Sequence, residues 1–348
     1  MNPFHPHLLA VADAAHGGAA QLAAAGLATE ELLDFSATTL PGGPPRTVRE
    51  AIAQVRLERY PDPRASVLGA ALARHHALLP AEILVGNGAA ELIVAIALAA
   101  LRPGDRALVV GPTFGEYARA IRVAGAEANE IRTEDVAAVR NAARTGAARL
   151  IFLCSPNNPT GFLWSAEAQD ALAATAFLVV DQAYAGFVEP APECRATPDR
   201  VILRSLTKDC GLAGLRLGYA IGTPENLGAI RTLLAPWSVN ALAQVAGVAA
   251  LEARDEIRAR IRDLLAERDR LAAALADQGW EVAVRDAPFF LVRVHDATAV
   301  ARRLLEGGLM VRDASSFGLA DWIRVSPQRA LENDRLIGAM AALRCEQS

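Results

Sequence analysis

The chain has 348 residues, 52% of them hydrophobic and 21% charged, which is enough apolar material for large cores and argues against a disordered or collagen-like chain. Its 35 Lys and Arg against 39 Asp and Glu give a net charge of -4, without the basic excess that a binder of nucleic-acid phosphates needs. Cys154, Cys194, Cys210 and Cys345 show no C-x-x-C spacing and read as reduced thiols, not as a zinc site or a disulfide framework.

In chain order, Ile83–Val85 reads as a strand ending in Gly86-Asn87-Gly88, followed by a helix from Glu91 to Leu101. Further short strands are expected at Ala107–Val110, Leu150–Cys154, Phe177–Val180, Val201–Arg204 and Leu217–Ile221. Continuous apolar strands separated by helices predict a mostly parallel sheet covered on both faces, the doubly wound α/β arrangement. Beyond Pro236, Asn240 to Ala276 reads as one or two long helices. Strands at Glu281–Val284, Phe289–Val294, near Leu309–Arg312 and at Trp322–Val325 follow, with helices at Ala297–Leu305 and Asn333–Leu343. This pattern predicts a smaller α+β domain. The expected division is an arm, or part of the small domain, over 1–40, a large cofactor-binding domain over 41–240, and a long interdomain helix with the small C-terminal domain over 241–348. The longest apolar run, Leu92 to Leu101, is too short for a bilayer, which needs roughly 20 residues. The N-terminus lacks a basic, apolar leader, so a cytoplasmic protein is expected.

Ligands of open α/β sheets bind beyond the carboxyl ends of the strands. The polar residues placed there are Gly86-Asn87-Gly88, Phe114, Asn158, Asp181, Tyr184, Ser205, Lys208 and Arg216. One lysine, one carboxylate, a phenol, an amide, small hydroxyls and an arginine suit a phosphorylated pyridine aldehyde.

Ser155-Pro-Asn-Asn-Pro-Thr-Gly161, Asp181-Gln-Ala-Tyr184, Ser205-Leu-Thr-Lys208 and Gly214-Leu-Arg216-Leu-Gly218 occur in the order and spacing of one family. The chain resembles, over nearly its whole length, the class I/II pyridoxal-phosphate aminotransferases of fold type I. Within that family His16-Gly17-Gly18, Leu32-Leu-Asp-Phe-Ser-Ala37, Glu58-Arg-Tyr-Pro-Asp62 and Pro236-Trp-Ser-Val-Asn-Ala-Leu242 are similar to threonine-phosphate decarboxylases of the cobalamin pathway. Histidinol-phosphate aminotransferases are the next nearest group.

The resemblance implies pyridoxal 5′-phosphate as cofactor and a role for each matching residue. Lys208 matches the Schiff-base lysine and proton shuttle, and Asp181 the acid opposite the ring nitrogen. Asn158 and Tyr184 match the pair that hydrogen-bonds the ring's phenolate oxygen, and Phe114 the stacking aromatic. Ser205, Arg216 and the backbone N–H groups of Ala89 and Ala90, after Gly88, match the phosphate cup. Tyr60 matches a tyrosine that serves the neighbouring subunit, which implies a homodimer with shared active sites. Arg324 matches the clamp on the substrate carboxylate. His16, Thr38 and Arg312 are candidates for gripping an anion at the far end of the substrate.

The chain departs from the decarboxylase pattern at Thr38-Thr39-Leu40-Pro41, where Asn-x-Asn-Pro is usual. Tyr184 is the residue of the aminotransferases, and Gln182 replaces a common Glu. The weight of the motifs favours decarboxylation of threonine phosphate or a close analogue, with histidinol-phosphate-type transamination as the alternative. A non-catalytic binding protein on the same fold would show a degraded site, and a nicotinamide dehydrogenase would carry Gly-x-Gly-x-x-Gly. Neither is present. Plain structural readings remain for single residues: Asp181 as a helix cap, His75 and His76 as surface residues of a helix, and Arg312 as a solvated strand end.

Overall fold

The computed structural model describes residues 5–12 and 32–347. A seven-stranded sheet carries the expected runs: β2 (Ile83–Gly86), β3 (Arg106–Gly111), β4 (Glu127–Arg132), β5 (Leu150–Cys154), β6 (Phe177–Asp181), β7 (Arg200–Ser205) and β8 (Gly218–Ile221). Its order is β2-β8-β7-β6-β5-β3-β4. The strands from β3 to β7 pair in parallel, while β8 runs antiparallel to both β2 and β7. The sheet is therefore mostly parallel, as the unbroken apolar runs imply. One strand escaped the sequence pattern. Glu127–Arg132 is polar and half-exposed because it lies at the sheet edge and has no apolar run to announce it.

Both faces of the sheet are covered. On one, Leu68 and Leu72 of the helix Ser66–His76 pack with Ala243, Ala246 and Ala250 of the helix Ala241–Glu252 against Ile151, Leu153 and Val180. On the other, the helix Gly88–Ala100 buries Leu92, Ile93 and Ile96 against Phe152, Val179 and Leu203. Each buried leucine, isoleucine, valine and phenylalanine among them contributes roughly 1.5–3 kcal/mol on leaving water. The helix Gly88–Ala100 is apolar nearly all round, which suits a helix wedged between the sheet and its neighbours.

The chain from Asn240 to Ala276 forms two helices, Ala241–Glu252 and Arg254–Asp277. Asn240 caps the first by accepting from Ala243 N at 2.8 Å. Beyond them lies a four-stranded antiparallel sheet in the order β12 (Arg312–Asp313), β13 (Trp322–Val325), β10 (Phe290–Arg293), β9 (Glu281–Val284). It has its own core of Phe290, Val292, Ile323, Leu271, Leu275 and Leu336. The single strand expected near Leu309–Arg312 is two pieces. Leu309–Met310 (β11) pairs in parallel with Leu33–Asp34 (β1), and Arg312–Asp313 joins the four-stranded sheet. The early residues Leu33–Phe35 are thereby tied to the C-terminal part of the chain. Among the described residues no helix is long and apolar enough to cross a membrane, and no cluster of His, Cys, Asp and Glu could hold a metal.

Candidate active site

Asp181 ends β6, Ser205 ends β7, and Asn158 lies in the turn after β5. Adjacent parallel strands thus deliver three polar groups to one edge of the sheet. Together with Ala89, Ala90, Phe114, Tyr184, Lys208 and Arg216 they line one cavity of about 120 Å³. Most residues picked from the sequence for the cofactor therefore converge.

Asp181 is buried and has two hydrogen-bond donors. Tyr117 Oη donates to Oδ2 at 2.8 Å, and Ala183 N donates to Oδ1 at 2.9 Å. The second bond is the capping role open to any Asp after a strand, and the first is not. Burial pushes the Asp181 carboxyl above its ordinary range, while Tyr117, Ala183 and the Lys208 charge pull it back. Tyr117 stacks on Phe152 at 5.1 Å and meets Phe114 edge-on at 5.7 Å. Sequence reasoning missed Tyr117. The spacing Phe114-x-x-Tyr117 held the signal, since three residues along a helix start return to the same side. It also passed over Thr207, whose hydroxyl lies 2.6 Å from Ser205 Oγ and lines the same cavity.

The anion-binding side is built from backbone. Gly88 opens its helix at φ +80, and a Cβ there would stand 3.0 Å from Arg216 Nη2. A Cβ on Gly218 would lie 2.6 Å from Ala89 N, so glycine at 218 lets the helix start sit directly on β8. Arg216 itself holds φ 57 and ψ 67, a left-handed conformation unusual for a side-chain-bearing residue. It costs on the order of 1–3 kcal/mol and turns the guanidinium toward Gly88.

Arg324, on β13, borders the cavity without lining it. It donates to Asn158 Oδ1 and, at 2.6 Å, to Ser36 O. Its guanidinium lies 4.8 Å from the Phe289 ring centroid, and its Nε is buried with no partner. Arg312 is its cross-strand partner and is also buried, not solvated. Arg312 donates to Ser316 Oγ at 2.8 Å and covers Phe317. Two like charges on paired strands repel. Burial and the charge of Arg324 hold the Arg312 guanidinium below its ordinary range.

The other candidates stand apart. Thr38 is buried with its hydroxyl 2.6 Å from Ser326 Oγ, so it braces the strand end that carries Arg324 and does not face the cavity. Tyr60 is 85% exposed and packs against the half-exposed Trp237 at 5.3 Å, away from the cavity of its own chain. His16 lies outside the described residues. His75 and His76 are not surface residues. Nε2 of His76 is 2.7 Å from Tyr219 Oη, and Arg254 reaches His75 Nδ1 at 3.0 Å.

A family model described as aminotransferase class I and II matches residues 30–340. The chain belongs to this family. It is 36% identical over 335 residues to the histidinol-phosphate aminotransferase of Roseiflexus castenholzii, covering 90% of each chain. Its fold matches the crystal structure of histidinol-phosphate aminotransferase from Sinorhizobium meliloti in complex with pyridoxal-5′-phosphate, with a TM-score of 0.91, 24% identity and coverage of 100% and 99%. It also matches L-threonine-O-3-phosphate decarboxylase from Porphyromonas gingivalis at TM-score 0.79 and 27% identity, covering 90% of this chain and 99% of that one. The chain is an enzyme of the fold type I class, and its cofactor is pyridoxal 5′-phosphate. The residues present fit that group. A lone lysine stands near a buried carboxylate, hydroxyls and an arginine gather at a glycine-opened helix start, and an aromatic wall closes one side.

Proposed function

We propose that this enzyme is an aminotransferase of the histidinol-phosphate type, moving an amino group between a small phosphorylated amine and a 2-oxo acid. The observation that carries the reading is the buried cross-strand pair Arg312 and Arg324, set beside the cofactor cavity through Asn158. Two adjacent guanidinium groups suit a dianionic phosphate or a carboxylate, which a fork of N–H donors meets with bidentate geometry. The preference for decarboxylation drawn from the sequence motifs gives way here. Histidinol-phosphate aminotransferases recur among the relatives, at 36% and 33% identity over about nine-tenths of the chain, and Tyr184 matches the aminotransferases at its position.

Bound pyridoxal phosphate supplies an electron sink for the bond broken at Cα of the amine. Lys208 is placed to hold the cofactor and to take and return the Cα proton. Asp181, fixed by Tyr117 and Ala183, presents negative charge to the ring nitrogen. Asn158 and Tyr184 would address the ring oxygen, and Arg324, bonded to Asn158, would hold the substrate anion. Ser205, Thr207, Arg216 and the N–H groups of Ala89 and Ala90 would take the phosphate. Holding the anion would orient the amine toward Lys208. The exposed Tyr60–Trp237 pair supports a homodimer in which Tyr60 reaches the neighbouring site.

Steady-state assays test the reading. L-Histidinol phosphate with a 2-oxo acid is expected to give amino transfer, and L-threonine O-3-phosphate to give no carbon dioxide. Carbon dioxide and aminopropanol phosphate from the latter, with no amino transfer from the former, would overturn it.

A further inference from the structure

Neighbouring residues of a strand face opposite sides. Ser205 lines the cofactor cavity. Arg204 is buried and lines a second cavity, of about 440 Å³, which shares Ser205 with the first. Arg204 Nη1 donates to Gln182 Oε1 at 3.0 Å. That partner is not a carboxylate, yet a buried guanidinium needs a counter-charge.

Across this cavity from it, beyond ion-pair distance, stands Asp209, directly after Lys208. Its Oδ1 is buried with no hydrogen-bond partner, and it lines the same cavity as Arg204. Burial pushes the Asp209 carboxyl up, and the Arg204 charge is the strongest influence pulling it down. The groups facing the pair from other elements are neutral or cationic: His75 and His76 on one helix, Arg254 and Arg258 on another. The other carboxylate on the cavity wall, Glu189, is exposed. Asp209 also fills the space beside Gly186, where an added Cβ would fall 2.0 Å from Oδ2. Gly186 belongs to the turn Ala185–Phe187 that follows Tyr184. Asp209 therefore touches the turn after one residue of the cofactor cavity while being bonded to the next residue after another.

We propose that Asp209 is a positioning residue. As the anionic group across the cavity from Arg204, it holds the Lys208 segment against the turn that follows Tyr184. The proposal rests on the reading that Lys208 anchors the cofactor. Because Gln182 Oε1 already lies within hydrogen-bond distance of Arg204, a carboxylate at 182 can replace the one at 209. The test compares the holoenzymes of wild type, Asp209→Asn and the double variant Gln182→Glu with Asp209→Asn. Asp209→Asn is expected to lower kcat about tenfold with little change in KM, to slow borohydride fixation of the cofactor on Lys208, and to lower the melting temperature of the cofactor-free protein. The double variant is expected to regain all three. A lower melting temperature with unchanged kcat and fixation would reduce Asp209 to a structural role and overturn the proposal. So would a double variant that regains nothing. If Asp209→Asn does not fold, a folded and active double variant supports the proposal, and an unfolded or inactive one overturns it. A wild-type adduct mapped to another residue overturns the Lys208 assignment itself, which is a distinct result.

Discussion

Tyr117→Phe removes one hydroxyl from the most deeply buried part of the site. The phenylalanine ring keeps the stack on Phe152 and the edge contact with Phe114, at centroid distances of 5.1 and 5.7 Å. What is lost is the 2.8 Å bond to Asp181 Oδ2, leaving that carboxylate only the Ala183 N–H among its two donors. A hydrogen bond to a charged acceptor contributes about 1.5–3 kcal/mol. Tyr117 favours the charged form of Asp181, so its loss raises the Asp181 pKa, in the same direction as burial. The carboxylate must be charged to face a protonated ring nitrogen. The acidic limb of the kcat/KM profile should therefore move to higher pH, and cofactor affinity should fall about tenfold or more at neutral pH. The assay is the pH profile of purified wild type and variant, with cofactor dissociation followed by fluorescence. An acidic limb and an affinity both equal to wild type would refute the reasoning that Tyr117 acts through Asp181.

Arg324→Lys keeps a charge but loses the fork that reaches Asn158 and Ser36 together, so kcat/KM should fall by about a hundredfold or more while the cofactor spectrum stays the same; titration with substrate and with cofactor separates the two. Burial, then the charges of nearby arginines, depresses His75 to about 4 and His76 to about 3, from an ordinary 6.5. The folded state thus refuses protons that the unfolded chain accepts, and the stability present above the unfolded value is lost as pH falls through it. The loss should be at most roughly 2 kcal/mol per histidine between about pH 7 and pH 5. Urea unfolding at the two pH values checks this, and His75→Gln should flatten the dependence by about half.

The unbroken apolar runs Leu150–Cys154 and Phe177–Val180 were legible as central strands because both faces of the sheet are covered, and chemistry could then be assigned to the residues after them. Glu127–Arg132 was not legible, because an edge strand needs no apolar run. The split at Leu309–Arg312 depends on two different partners, Leu33–Asp34 and Trp322–Val325, which lie far away in sequence. The histidines followed the same logic. Only the packing of Tyr219 and Arg254 against their helix reveals that His75 and His76 are held and neutral. Lys208, Asp181 and Arg324 stand out as candidates in the sequence because motif and position agree. Tyr117 and Thr207 were passed over because each acts through a neighbour already chosen. The bond from Thr38 to Ser326 was not legible, because it joins segments nearly the whole chain apart.

Reaction type is the central claim, and the state of the cofactor after one turnover tests it most directly. Holoenzyme is mixed with an equimolar phosphorylated amine, L-histidinol phosphate, without any 2-oxo acid, and the cofactor is released by denaturation and weighed by mass spectrometry. The account predicts the amine form of the cofactor together with one equivalent of carbonyl product. Cofactor recovered only as the aldehyde with L-histidinol phosphate, and stoichiometric carbon dioxide when L-threonine O-3-phosphate is substituted, would contradict it.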